Sequence, residues 1–303
     1  MAFAERHKKR LDKRYTGFLF IGPAIILLLV VAIFPLLNTF ILSFQGLEAG
    51  KWVFVGFDNF KKLFNDEWFG KTIRNTLFFT LMVTIGHLSI GMFFALLLNE
   101  RWIIPLRNTI RGLLILPWLF SSAAGSLMWS MLYHPLGFLN STYTTIFPNA
   151  VPIDFLGNPQ LAMWSIITVV VWIWYPFYMV SILGGLQSIP TDLYEAAKVD
   201  GASTVQRFWY ITWPLLRPVL ISVSTIDLIS TMGHVDAVKM LTSGGPMRAT
   251  ETVGYYVWRV GLWDGQLGYG AAISAMLMVA MSFFMFFYLR VISRGGQSNG
   301  TNF

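Results

Sequence analysis

The chain has 303 residues, 55% of them apolar and only 12% charged, with a mean hydropathy of +0.59. Soluble domains carry roughly 25% charge, so this composition excludes a soluble globular protein. The net charge of +7 sits in clusters between apolar runs, as a topology signal and not as a nucleic-acid-binding patch, and the lack of cysteine excludes disulfides and thiol chemistry.

Crossing ~30 Å of hydrocarbon takes about 20 helical residues. Six segments reach that length with few interior charges: 17–43, 73–98, 108–133, 160–186, 214–237 and 267–292. The fold class predicted is an all-α polytopic membrane protein, since an outer-membrane barrel would need alternating segments of about ten residues. Pro23, Pro35, Pro117 and Pro176 interrupt the runs, which membrane helices tolerate. Residues 1–16 are a basic tail holding Arg6, Lys8, Lys9, Arg10, Lys13 and Arg14. Tail and first run together resemble a signal peptide, but the run exceeds ~7–15 residues and no small-x-small cleavage site follows. A retained first span is expected.

Between the first and second spans, Gly70-Lys71-Thr72 has the ending of a phosphate-binding loop, yet Asn65 stands where the first glycine is required. The four histidines, His7, His87, His134 and His234, are scattered without metal-ligand spacing. The loop 134–159 carries no basic residue. The fourth span brings Trp172, Trp174, Tyr175, Phe177 and Tyr178. Such rings can pack on the apolar face of a sugar, or gather at a membrane interface with no ligand at all.

Residues 187–213 form a polar island between two apolar spans. Pro190 and Thr191 can open a helix there, and Gly201 offers the positive φ that ends it. Ser203 and Gln206 have the spacing of a capping box that starts a second helix. Pro214 follows where the chain re-enters the fifth apolar run. A helix–Gly–helix docking element is predicted, with Ala196, Ala197, Val199, Val205, Phe208 and Trp209 as its apolar surface.

This island resembles the cytoplasmic loop of permease subunits in bacterial ATP-binding-cassette importers, whose pattern is Glu-Ala-Ala, three residues, Gly, nine residues, Ile, one residue, Leu-Pro. Glu195, Ala196, Ala197, Gly201, Ile211 and Pro214 match, while Trp213 stands in place of the Leu. A second motif, Leu241-Thr242-Ser243-Gly244-Gly245-Pro246, resembles the Leu-Thr-x-Gly-Gly-Pro turn of the maltose-type half of sugar permease pairs. The likeness runs from about residue 15 to 292, in the six-span form.

The fifth span contains Asp227, with Asp236 near its end. A carboxylate in hydrocarbon is costly and faces a partner or a water-filled pathway. Steps of +3, +4 and +7 along a continuous helix reach Ser230, Thr231 and His234 on the same face. That stripe suits the hydroxyls of a polyol, or equally the hydrogen bonds that tie one span to another. Positive-inside counting puts 14 of the 22 basic residues on the side of the N-terminal tail, joined there by Arg101, Arg107, Arg111, Lys198, Arg207, Arg217, Arg290 and Arg294. Both termini, the 187–213 loop and a tail at 293–303 are therefore expected in the cytoplasm.

The resemblance implies a type I importer permease in the bacterial cytoplasmic membrane, one transmembrane domain over 17–292. It implies as partners a second homologous permease in a heterodimer, two ATPase subunits and an extracytoplasmic solute-binding protein. ATP and Mg would belong to the ATPases, with no cofactor on this chain and no catalysis by it. Coupling falls to Glu195, Ala196, Ala197, Gly201, Ala202, Phe208 and Pro214. A mid-membrane sugar site falls to Trp174, Phe177, Asp227, Ser230, Thr231 and His234, whose residue types mostly differ from the maltose pattern. A glycerol phosphate importer is the alternative within the class. An ion-coupled transporter would use Asp227 or Asp236 and usually shows an internal repeat, which is not evident here. A membrane-embedded enzyme would need a polar cluster at one depth, for which only the fifth span offers residues.

Overall fold

Helices dominate because apolar runs in lipid must satisfy their own backbone N–H and C=O groups. The computed structural model describes residues 20–100, 103 and 105–297. In chain order these are α1 (Phe20–Leu42), β1 (Gln45–Glu48), β2 (Lys51–Phe54), α2 (Asp58–Phe64), α3 (Glu67–Asn99), α4 (Arg107–Ile115), α5 (Ser122–Tyr133), α6 (Phe138–Ile146) and α7 (Ala162–Gln187). Then follow α8 (Thr191–Val199), α9 (Thr204–Met232), α10 (Asp236–Leu241), α11 (Val253–Trp258) and α12 (Leu267–Gln297). The predicted basic tail 1–16, Arg101 and the last residues of the predicted tail 293–303 lie outside the described residues.

Among the described residues five helices are long and apolar enough to cross a membrane: α1, α3, α7, α9 and the Leu267–Phe286 part of α12. The third predicted span, 108–133, is not a straight helix. Its halves, Arg107–Leu119 and Ser122–Ile146, meet at 95°. Pro117 cannot donate to the helical ladder, the turn Leu116–Leu119 tightens to 3-10 geometry, and Phe120 is extended. Ser121 then caps α5, its Oγ accepting the Ala124 N–H at 3.2 Å. Near the break the Leu114 carbonyl accepts the Tyr175 hydroxyl at 2.9 Å, one of the ways a broken membrane helix re-satisfies its backbone. The fifth span also ends earlier than predicted. α9 stops at Met232 with Gly233 as its C-cap, and Asp236 opens the separate helix α10. Gly70-Lys71-Thr72 lies within α3, so its N–H groups serve that helix and not a phosphate.

The chain divides into two compact units. The first comprises residues 67–258 and is organised around α7, whose Ile166, Ile173, Tyr178, Met179 and Ile182 are fully buried. Glycines let α3 approach α7 closely, as small residues do between membrane helices. A Cβ on Gly91 would lie 2.5 Å from Tyr178 Cβ and 3.0 Å from the Met179 backbone nitrogen. A Gly91→Ala variant is expected to lose about 1–3 kcal/mol through overpacking and to melt lower in detergent. Gly70→Ala, where nothing lies within 4 Å, is expected to melt no lower than the parent. Equal melting temperatures for the two variants would refute the close α3–α7 fit.

The second unit comprises residues up to 66 with those from 259 onwards. In it α1 packs along α12 and the β1–β2 hairpin follows α1 directly. Ala49 and Gly50 both have positive φ, 49° and 79°, the twist a two-residue hairpin turn needs.

Candidate functional site: the helix–Gly–helix element and the inter-span knot

The island 187–213 folds by local rules. α8 ends in a Schellman motif: the Ala202 N–H donates to the Ala197 carbonyl at 2.9 Å and the Gly201 N–H to the Lys198 carbonyl at 3.1 Å. Gly201 has φ +77°, the left-handed conformation this motif requires. The capping box is formed, with Ser203 Oγ accepting the Gln206 N–H at 3.2 Å and Gln206 Oε1 accepting the Ser203 N–H at 2.8 Å. Ala197 and Ala202 thus sit at the two ends of the closing hydrogen bond, where small apolar residues fit.

One expectation is corrected here. The second helix is not a separate piece ended before Pro214. It continues through a π turn, Phe208–Thr212, into the fifth span as the single helix α9. Pro214 lacks the N–H that a regular ladder would use, and the wider turn before it absorbs the mismatch. Tyr194 Oη and Thr212 Oγ1, 2.9 Å apart, tie α8 to the π turn within α9. A cavity of about 580 Å³ opens between them, lined by Glu100, Glu195, Lys198 and Arg207 among others.

Glu195 and Ala196 are exposed, whereas Ala197, Ala202, Phe208 and Pro214 are half-buried. The apolar surface facing outward consists of Leu193, Val199, Val205, Trp209 and Tyr210, with Val199 88% and Tyr210 81% exposed. Leu193 and Tyr210 were not foreseen from the sequence, and Phe208 turns inward to the cavity. A π turn holds one extra residue, so a 3.6-residue period read across it misassigns the side chains on either side.

Asp227 forms a knot with three helices. Its Oδ2 accepts the Thr84 hydroxyl at 3.0 Å and the Tyr178 hydroxyl at 3.0 Å, and its Oδ1 accepts the Thr231 hydroxyl at 3.2 Å. His87 Nδ1 lies 3.1 and 3.2 Å from the two carboxylate oxygens, and its Nε2 3.2 Å from the Val170 carbonyl oxygen. α3, α7 and α9 are therefore joined through one buried polar cluster, the geometry of the inter-span reading. Sequence reasoning noted Tyr178 only as a fourth-span ring and His87 only as a scattered histidine, and paired neither of them, nor Thr84, with Asp227. The available signal was that His87 is a titratable group inside a span, which calls for a partner.

The predicted stripe does not hold together. Thr231 joins the knot, but Ser230 is exposed and donates back to the Ile226 carbonyl at 2.9 Å. His234 lies beyond the end of α9, so the +7 step fails, and its Nε2 sits 3.2 Å from Ser122 Oγ. Trp174 is exposed on α7, and Phe177, half-buried one turn later, meets Trp118 at 6.0 Å beside the broken span. Phe120 and Trp172 lie 5.9 Å apart in the same region. Irregular backbone at membrane depth persists where it is buried in protein or lines a water-filled cavity. Here it carries exposed Trp118, Phe120 and Ser121.

A polytopic helical bundle with a broken span and a capped helix–Gly–helix element presenting apolar residues defines a membrane permease subunit. The chain belongs to the family described as the binding-protein-dependent transport system inner membrane component, whose model matches residues 77–295. It is 33% identical over 278 residues to the trehalose/maltose transport system permease protein MalF of Thermococcus litoralis, covering 91% of this chain and 92% of that one. It is 31% identical over 286 residues to the sulfoquinovosyl glycerol transport system permease protein SmoG of Agrobacterium fabrum, covering 93% and 92%. A crystal structure of a bacterial ABC transporter involved in import of the acidic polysaccharide alginate has a chain with the same fold, at a TM-score of 0.81, 22% identity, and coverage of 95% of this chain and 99% of that one. The all-α importer-permease fold expected from the Glu195 motif is the fold observed.

Proposed function

We propose that the chain forms half of the translocation pathway of an ATP-driven, binding-protein-dependent importer for a sugar, oligosaccharide or related polyol. The observation that carries the coupling role is the apolar surface of Leu193, Val199, Val205, Trp209 and Tyr210 on a doubly capped, rigid element. Two ATPase subunits dock there, holding ATP and Mg themselves. Glu195 lies beside the apolar residues as a carboxylate for a cationic group of the ATPase. Ala196, Ala197, Gly201 and Ala202 keep the turn compact, while Phe208 and Pro214 set the angle at which it joins α9. Because α9 is one continuous helix, displacement of the element passes directly into a transmembrane span.

A second permease completes the pathway, a solute-binding protein delivers the solute from outside, and both termini face the cytoplasm of a bacterial inner membrane. Trp174 and Phe177, with Ser230 and His234, contribute rings and polar groups along the pathway. Asp227 and Thr231 act behind them by holding the three helices in place. A neutral or cationic solute is favoured over an anionic one, because α7 contains no Lys or Arg and α9 none after Arg217. Transport requires that the solute bind the two end states unequally.

The test is ATP hydrolysis by the complex purified from membranes and placed in lipid, with its binding protein and a panel of sugars and polyols. Stimulation by one carbohydrate is expected. A folded chain that associates with no ATPase would refute the reading.

A further inference from the structure

The strand register pairs Gln45 with Phe54, Gly46 with Val53, Leu47 with Trp52 and Glu48 with Lys51. Side chains alternate across a strand, so Leu47, Trp52 and Phe54 share one face of the hairpin with Gln45. Glu48 and Lys51 share the other with Gly46 and Val53. The first face is not covered by the protein: Leu47 is 52%, Trp52 45% and Phe54 75% exposed. We infer that this hairpin is an interfacial membrane anchor, its Leu47–Trp52–Phe54 face resting in the headgroup and upper acyl region of the bilayer.

The hairpin's depth follows from how its base is fixed. α1 ends at Leu42, just before Gln45, and no residue of α1 is buried. The Asn59 amide donates to the Ser43 and Gln45 carbonyls, both at 2.9 Å, holding the start of β1 against the end of that span. The Val55 N–H donates to the Phe44 carbonyl at 2.9 Å, extending the ladder to the same level. Gly268, in the first turn of α12, lies against the Gln45 carbonyl so closely that a Cβ there would collide with it. The end of one span and the beginning of another thus meet at the hairpin base, which places that base at a bilayer surface.

Four-residue strands reach only about 13 Å, so the tip stays near the interface as well. The residue chemistry agrees with that location. Trp and other amphipathic rings concentrate at the membrane–water boundary, and an amphipathic helix lies in that plane with its apolar side roughly 5–10 Å deep, the same balance of an apolar face against one that carries charge. Glu48 and Lys51, on the opposite face, remain for water. The inference rests on membrane insertion alone and stands whatever solute is carried.

The chain has no cysteine, so each introduced thiol is the only one in this subunit, and it would be labelled before assembly with the unlabelled partner subunits. Nitroxide labels would be attached to Leu47→Cys, Phe54→Cys, Glu48→Cys and Lys51→Cys and read in the assembled transporter. The complex would be reconstituted in phosphatidylethanolamine–phosphatidylglycerol vesicles, and only variants that retain uptake would be read. Collision with membrane-partitioning oxygen is expected to dominate at positions 47 and 54, and collision with an aqueous nickel chelate at 48 and 51. Equal access of the nickel chelate to all four positions would overturn the anchor. So would exclusion of both reagents from 47 and 54, the result expected if a protein partner covers that face.

Discussion

Asp227→Ala is expected to cost the protein several kcal/mol, because each buried donor left without its acceptor costs about 1–3 kcal/mol. It should lower folded yield and melting temperature whether or not solute is present. The reason is the number of groups that depend on one carboxylate. Its loss removes the carboxylate to which the Thr84, Tyr178 and Thr231 hydroxyls donate and which the Nδ1 edge of His87 faces, in a site with little access to water. Tyr178→Phe removes one of those hydrogen bonds and is expected to cost only about 1 kcal/mol. Asp227→Asn, which keeps the shape and one carbonyl acceptor, should fall between the two. Size-exclusion profiles and thermal unfolding of the three variants check this order. A well-folded Asp227→Ala protein with altered solute selectivity would return Asp227 to the solute pathway instead.

Gly201→Val is expected to leave the amount of chain in the membrane unchanged while reducing uptake about 5- to 150-fold. That range corresponds to the ~1–3 kcal/mol of strain from a non-glycine residue held in an unfavourable backbone conformation. Nothing lies within 4 Å of the position a Cβ would take at Gly201, so the penalty is one of backbone conformation and not of collision. Val, β-branched, is poorly suited to φ +77°, and the Schellman hydrogen bonds at Ala197 and Lys198 would be given up to relieve it. Asn tolerates the left-handed region far better, so Gly201→Asn should retain most of the uptake. The measurement is solute transported per ATP hydrolysed in reconstituted vesicles. Equal activity of the Val and Asn variants would separate the turn geometry from coupling.

These two variants mark the boundary between local and non-local information. The turn and the caps around Gly201 were legible residue by residue, because their causes are neighbours in sequence. A glycine supplies the positive φ, Ser203 and Gln206 exchange hydrogen bonds three residues apart, and Pro190 precedes the first helical turn. The spans were legible for a similar reason, since transfer into hydrocarbon depends on the composition of a continuous run. Even there, the consequences of proline were only half readable. Pro117 could be seen to interrupt a span, but not that the chain would turn by 95° and resume at a Ser121 cap. Nor could Pro214 be seen to act through a π turn without stopping the helix.

The partners of Asp227 belonged to the other category. His87 is 140 positions away and Tyr178 is 49, and neither carries a motif that names its counterpart. Hydropathy shows that a carboxylate in a span must be satisfied, but the side chains that do so depend on which helix faces meet. Gly86 and Gly91 allow α3 to approach α7, and the rotation of α9 then aims Asp227 toward their junction. The caps and the turn of the helix–Gly–helix element were determined by the sequence alone, through short-range backbone preferences, whereas its outward apolar surface was not. The role of Asp227 was decided only by tertiary structure, because interhelical distance and rotation are collective results of packing that no single segment encodes.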